Sequence, residues 1–263
     1  MSRARGGGRA GAIAAALRRI PSAGGVVEPL PWQLLWKPVC ASTELELEHW
    51  LAKGGSAPVA VIARRQNRGQ GQQGRVWQSP PGGVWLSAAL PWGDSEQRAA
   101  PALALSLGLC LQLEQLGLRP QIKWPNDLLL HGRKLAGVLP RLRWRGERLL
   151  GCRVGVGING LNRVPQGAIA LAQGVAEPGV ITRCGPSRRM AHPAPLAALV
   201  LRGLEWAVAA SSQAELVRRQ AEQRLWRAPL LHQGQTWQVA GLAIDGALRL
   251  QRLGQLVELR RDF

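Results

Sequence analysis

Lysine is rare in this chain, and two of its four lysines stand in runs whose residue types could do chemistry. In Lys123-Trp-Pro-Asn-Asp127, Asn126 and Asp127 follow a strand-ending proline. Their oxygens suit hydrogen bonds to a nucleotide and ligation of Mg2+, with an ordinary Pro-Asn-Asp turn as the alternative. In Gly132-Arg-Lys134-Leu-Ala-Gly137, Lys134 falls on the second arm of an expected hairpin, a rigid element of the kind a catalytic group needs. An ammonium there can neutralise a carboxylate and the phosphate that it attacks. Its alternative is a solvent-facing strand lysine, but the chain elsewhere mostly meets a need for charge with Arg, so a retained Lys points to a compact point charge. Ser42 and Thr43 are good helix caps and also small polar groups able to meet a buried ligand. Gly155 and Gly157 alternate on one face of a strand, which permits close approach of a ligand or tight packing against a helix.

Gly69-Gln-Gly71-Gln-Gln-Gly74 satisfies the GxGxxG spacing after a strand, with Asp94 about 20 residues on, as in a dinucleotide fingerprint. The following Gln78-Ser-Pro80-Pro81-Gly82-Gly83 forbids the helix whose N-terminus that fingerprint requires. What remains is a loop rich in backbone N–H groups, flanked by Arg68 and Arg75 and able to fold around an anion. Trp77 and Trp85 are assigned to the core, and Trp124 to a structural or ligand-adjacent place.

These groups need a scaffold, and hydrophobic spacing supplies one. A capped helix is expected after Ser42-Thr43 up to Gly54, then strands at 58–63 and 84–90, an apolar helix over 101–116 and a strand at 121–124. A hairpin over 127–139 turns at His131-Gly132, a strand covers 149–158, and helices cover 196–210 and 213–226. From Arg227 the texture changes to short alternating segments of a small β unit. The division expected is a disordered Gly/Arg-rich basic tail over 1–29, a catalytic α+β body over 30–226 and a C-terminal β domain over 227–263.

Composition bounds the classes. Hydrophobic residues make up 46% of the chain, which fits a folded core, and no apolar run reaches the ~20 residues of a membrane helix. The formal charge of +18 would suggest nucleic acid, yet Arg dominates it, no Tyr and one Phe accompany eleven Trp, and much of the charge reads as compositional background. Cys40, Cys110, Cys152 and Cys184 form no CxxC pair, so a reduced, cytoplasmic protein is expected.

The ordered series Ala41-Ser42-Thr43, Gln66-Asn-Arg-Gly69-Gln-Gly71-Gln-Gln-Gly74-Arg75-Val-Trp77, Lys123-Trp-Pro-Asn-Asp127, Lys134-Leu-Ala-Gly137 and Gly155-Val-Gly157-Ile-Asn159 resembles the biotin–protein ligases, from about Leu34 to Asn159. The resemblance implies a mixed sheet backed by helices, an SH3-like C-terminal barrel, and ATP-dependent activation of biotin as biotinyl-5′-AMP before transfer to a lysine of the biotin carboxyl carrier protein of acetyl-CoA carboxylase. It implies Lys134 as the catalytic residue and Ser42, Thr43, Glu44, Gln66, Gln70, Gly71, Gln72 and Lys134 as biotin contacts. Arg75, Lys123, Trp124, Asn126, Asp127 and Asn159 become ATP or adenylate contacts, with Mg2+ at Asp127. Many members carry Arg at the positions of Gln70 and Gln72, so weaker retention of the adenylate is expected, with Arg68 a partial substitute. Glu44 stands where Asn is common, which reduces its expected role to a backbone contact. Rival readings are a lipoate or octanoate transfer enzyme of the same superfamily and a basic nucleic-acid-binding regulator; the tail is too short for the winged helix of repressing members. Specific DNA binding and membrane association are not expected, and the chain is expected to be a monomer or weak homodimer.

Overall fold

The structure, a computed structural model, describes residues 3–5, 7–25, 27–92, 99–146, 148–175 and 188–261. Asp94 and Cys184 lie outside the described residues. Eight strands make one mixed sheet: β1 (Arg3–Arg5), β2 (Gln33–Lys37), β3 (Val59–Ala63), β4 (Val84–Leu90), β5 (Gln121–Lys123), β6 (Asp127–Leu130), β7 (Arg133–Arg145) and β8 (Arg148–Ile158). Their order is β1-β2-β3-β4-β8-β7-β6-β5. The first three run parallel and the remaining pairs are antiparallel. β3 and β4 are buried along their whole length, as expected for continuous apolar runs in the middle of a sheet. The β6–β7 turn is His131-Gly132, both with positive φ (52° and 70°), the geometry of a tight two-residue hairpin.

Helices α1 (Gly7–Arg19), α3 (Pro101–Glu114) and α5 (Pro193–Ala209) cover one face, and α2 (Thr43–Ala52) covers part of the other. The short α4 (Leu171–Gly174) and α6 (Ala214–Gln223) complete the helices. α3 is apolar all round because it lies between sheet and α5, and the two helices approach closely at Gly108 and Gly203. A Cβ on Gly108 would lie 2.1 Å from the Gly203 carbonyl oxygen, so only glycine fits there. Leu34, Ala60, Ile62, Leu86 and Ala88 point into this main core. Leu47, Val59, Val61 and Ala89 form a smaller cluster under α2, leaving the rest of that face open to the cavity described below.

The expected disordered tail is corrected by the structure. Ala10, Ile13, Ala14 and Leu17 form a buried stripe on α1, packed on α5. The anchor is a buried ion pair on α5, where Arg202 Nη1 donates to Glu205 Oε2 at 2.7 Å. Arg202 also donates from Nε to the Ile20 carbonyl (2.9 Å) and from Nη2 to the Leu17 carbonyl (2.7 Å), so it places a cation at the C-terminus of α1. Glu205 Oε1 accepts from Trp32 Nε1 (2.8 Å) and Leu30 N (3.1 Å), which fixes the chain entering β2.

The C-terminal unit is an antiparallel meander of β9 (Leu230–His232), β10 (Gln235–Leu242), β11 (Leu248–Arg252) and β12 (Gln255–Leu259). Trp124 Nε1 donates to the Gly246 carbonyl at 2.9 Å and ties this unit to the body.

Candidate active site

A cavity of about 580 Å3 opens on the sheet face that α2 leaves uncovered. The residues that the resemblance assigns to biotin and nucleotide all line it: Ser42, Thr43, Glu44, Gln66, Gln70, Gly71, Gln72, Arg75, Lys123, Trp124, Asn126, Asp127, Lys134 and Asn159. Arg68 is exposed and is not among the lining residues, and Arg75, Arg141 and Arg261 supply the cavity's arginines.

One end is a network of small polar groups. Ser42 is the N-cap of α2 and its Oγ accepts from Glu44 N at 3.2 Å, so the capping role holds and the residue still faces the cavity. Gln66 Oε1 accepts from Thr43 N (2.7 Å) and Thr43 Oγ1 (3.0 Å), while its Nε2 donates to Ser79 Oγ (2.8 Å). Thr43 Oγ1 meets Ser87 Oγ at 2.8 Å. Ser79 and Ser87 were missed from the sequence; a lone hydroxyl inside the apolar run Val84–Leu90 was the signal for the second.

The other end holds the charges. Asp127 begins β6 opposite Gly137, and its Oδ1 lies 2.6 Å from Lys134 Nζ. Lys134 is fixed by its backbone, whose N–H donates to the Gly167 carbonyl (3.0 Å) and whose carbonyl accepts from Ile169 N (3.0 Å). Its ammonium also lies 4.8 Å from the centre of the Trp77 ring. Asn126 Nδ2 donates to the Val138 carbonyl at 2.6 Å, and Asn159 Oδ1 accepts from Asn162 Nδ2 at 3.0 Å. Both asparagines are therefore held by the hairpin and the end of β8.

Between these ends lies a floor without side chains. Trp77, expected in the core, is half-buried and covers it: a Cβ on Gly157 would lie 2.5 Å from the indole, and one on Gly137 3.1 Å from it. The Trp77 indole takes the space above Gly157, while a Cβ on Gly155 would meet only ordinary contacts, 3.8 Å from Leu139 Cβ and 4.0 Å from Ser87 Oγ. Trp85 is buried as expected, edge-on to Trp77 with ring centres 6.5 Å apart. The loop before Trp77 is closed at its base, with Gly71 N donating to Arg75 O (2.7 Å) and Trp77 N to Gly69 O (2.9 Å).

The three described thiols take no part. Burial raises Cys40 to about 11 and Cys152 to about 12, and burial pushes Cys110 higher still.

Residues 36–159 match the biotin/lipoate A/B protein ligase family. The bifunctional ligase/repressor BirA of Bacillus subtilis is 33% identical over 143 residues, 52% of this chain and 43% of its own length. A biotin–[acetyl-CoA-carboxylase] ligase of Paracoccus denitrificans is 36% identical over 126 residues, 45% of this chain and 51% of its own. The chain thus spans about half the length of the curated relatives it matches. A biotin protein ligase from Aquifex aeolicus, solved in complex with biotin and ATP, has the same fold, with a TM-score of 0.65 and 24% identity over 86% of this chain and 94% of that one.

Proposed function

Because residues 36–159 match the biotin/lipoate A/B protein ligase family, we propose that this chain is an ATP-dependent biotin–protein ligase whose acceptor is the biotin carboxyl carrier protein of acetyl-CoA carboxylase. The observation that carries this reading is the polarity of this cavity, with hydroxyl and amide groups at one end, an ammonium–carboxylate pair at the other and glycines between. That layout complements a bicyclic urea joined by an apolar chain to a carboxylate.

In the first step a biotin carboxylate oxygen attacks the α-phosphorus of ATP, the bond to the β-phosphate breaks, and pyrophosphate leaves. Both reactants are anions, and Lys134 lies where a rigidly held cation lowers their repulsion as charge builds on phosphorus. Asp127 aims the ammonium, and Asn126, Asn159, Trp124, Lys123 and Arg75 supply the nucleotide side. In the second step the uncharged amine of the acceptor lysine attacks the acyl carbon of biotinyl-5′-AMP. AMP leaves, an amide forms and a proton is lost to solvent. The mixed anhydride is a good leaving-group system, so positioning of the amine contributes most, in keeping with a site that has no nucleophilic triad.

Among the described residues no three His, Cys, Asp or Glu side chains gather as a metal site. A single carboxylate suits Mg2+ that arrives on the nucleotide's phosphates and keeps most of its waters. Asp127 would hold such an ion through the oxygen not taken by Lys134, and the ion would supply further neutralisation of phosphate charge. No helix among the described residues is long and apolar enough to cross a membrane. A reducing cytoplasmic setting accords with the free, buried Cys40, Cys110 and Cys152.

The test is transfer of radiolabelled biotin to an apo carrier domain, with ATP–pyrophosphate exchange measured separately. Lys134→Ala is expected to lower the exchange rate by about 10²–10³-fold, the scale for removing one preorganised charge-stabilising donor. Exchange driven by lipoate but not biotin would refute the substrate assignment, and an unaffected Lys134→Ala rate would refute the role given to the lysine.

A further inference from the structure

The cavity extends along β7 past the groups that the family motifs account for. Asp127 pairs with Gly137, and on the same strand face follow Leu139 and then Arg141, about 13 Å from Gly137 at ~3.3 Å per residue. Across β8 the same face reads Gly157, Gly155, Arg153, with Gly155 next to Ser87. Arg141 therefore stands one step beyond the hydroxyl and amide cluster. It lines the cavity, half-buried, and makes no ion pair or side-chain hydrogen bond with any described residue.

That lack of a partner has a cause. Arg141 lies directly opposite Arg153, a like-charge pair that disfavours the sheet. Both acids nearby face Arg153: Glu48 Oε1 accepts from its Nη1 at 2.8 Å, and Glu44 Oε1 lies 3.5 Å from its Nε, an ion pair without a hydrogen bond. The acids of α2 thereby pair with Arg153, and Arg141 is left without an ion-pair partner among the described residues at that end of the cavity. A fold gains nothing from such a placement, whereas a ligand with an acceptor at that end gains a charge-assisted hydrogen bond.

The neighbouring groups define what that acceptor is. Thr43 Oγ1 gives its proton to Gln66 Oε1, so Ser87 donates to Thr43 and keeps its own lone pairs for a ligand N–H. Ser42 Oγ accepts from Glu44 N and keeps its proton to donate. A cyclic urea offers N–H groups flanking one strongly polarised C=O, which matches acceptors beside a convergent pair of donors.

We propose that Arg141 is a substrate-binding residue which, with Ser42, donates to the urea oxygen of the biotin ring and selects a head group bearing a neutral carbonyl over one bearing positive charge. This rests on the biotin-ligase reading. The guanidinium fork reaches the oxygen from the cavity end while the N–H groups of the ring face the hydroxyl cluster.

The experiment measures ATP–pyrophosphate exchange and calorimetric binding on the full chain with biotin and with 2-iminobiotin, whose cyclic guanidinium replaces the urea carbonyl by a cationic donor. Arg141→Gln and Arg141→Met are expected to raise KM for biotin about 10- to 100-fold, the range for one hydrogen bond to a charged group, with kcat and KM for ATP kept. The preference for biotin over 2-iminobiotin is expected to narrow by about tenfold or more on the same basis. The melting temperature should hold or rise, because the Arg141–Arg153 repulsion is relieved; a merely structural arginine would lower it. KM for biotin within twofold of the parent in both variants, with an unchanged preference, overturns the proposal while leaving the ligase reading intact. Absence of biotin binding to the parent chain overturns both.

Discussion

The Arg202–Glu205 pair sets how firmly the N-terminal helix is held, and replacing Arg202 by Ala is the cleanest perturbation of it. Arg202 is 9% exposed and Glu205 1%. The substitution removes the 2.7 Å ion pair and both bonds to the Ile20 and Leu17 carbonyls. It leaves a buried carboxylate satisfied only by Trp32 Nε1 and Leu30 N. Breaking one partner out of a buried, hydrogen-bonded pair costs about 3–5 kcal/mol, a large share of the ~5–15 kcal/mol by which a domain is stable. Trp32→Phe, which removes one bond to the same carboxylate, should cost less, about 1.5–3 kcal/mol. The double variant Arg202→Met, Glu205→Leu should recover much of the single loss, because no charge is left buried without its partner. Urea denaturation reads these losses as a fall in midpoint at constant slope. Trypsin offers a local reading, since Arg18 and Arg19 in the last turn of α1 become faster cleavage sites once the helix detaches. A loss under about 1 kcal/mol for Arg202→Ala, the level of an exposed pair, with unchanged cleavage would refute the anchor.

Two further outcomes follow from close contacts and buried thiols. Gly108→Ala should destabilise by about 1–3 kcal/mol in urea melts despite alanine's ~1 kcal/mol advantage in helices, because the added methyl meets the Gly203 backbone; a stabilised variant would show that α3 and α5 can separate freely. The thiols of Cys40 and Cys152, raised from 9.0 to about 11 and about 12, stay protonated in the fold after the unfolded chain has begun to ionise. Stability should therefore fall as pH rises above about 9, and iodoacetamide at pH 8 should label these thiols only when the chain is unfolded; ready labelling of the native protein would contradict it.

The site was legible because its parts are local in sequence. Ser-Thr before an acidic helix start, a glycine loop, a lysine after a two-residue turn and glycines at alternate strand positions each announce themselves within a few residues, and β-sheet registry then gathers them. Trp77 was misplaced because its surroundings are contributed by Gly137 and Gly157, residues whose lack of a side chain gives no hint of what fills the space. The N-terminal helix was missed for a related reason. Its buried stripe is half alanine, too weakly apolar to stand out in a Gly/Arg background, and the cation that caps it comes from Arg202, 182 residues after Ile20. Arg68 had the right charge beside the right loop, but the side chain faces solvent. Arg141 carried no motif, and only the strand register shows that it stands at the end of the cavity.

The hydrogen bond from Trp124 to the Gly246 carbonyl joins a residue of the cavity wall to a turn of the last meander. The same turn presses on the start of α3, where a Cβ on Gly246 would lie 2.4 Å from the Ala100 Cβ. The meander therefore touches at once an indole that lines the cavity and the start of the central helix. The change of texture near Arg227 marks a boundary in composition but not in contact: the last strands brace both the cavity wall and the start of α3.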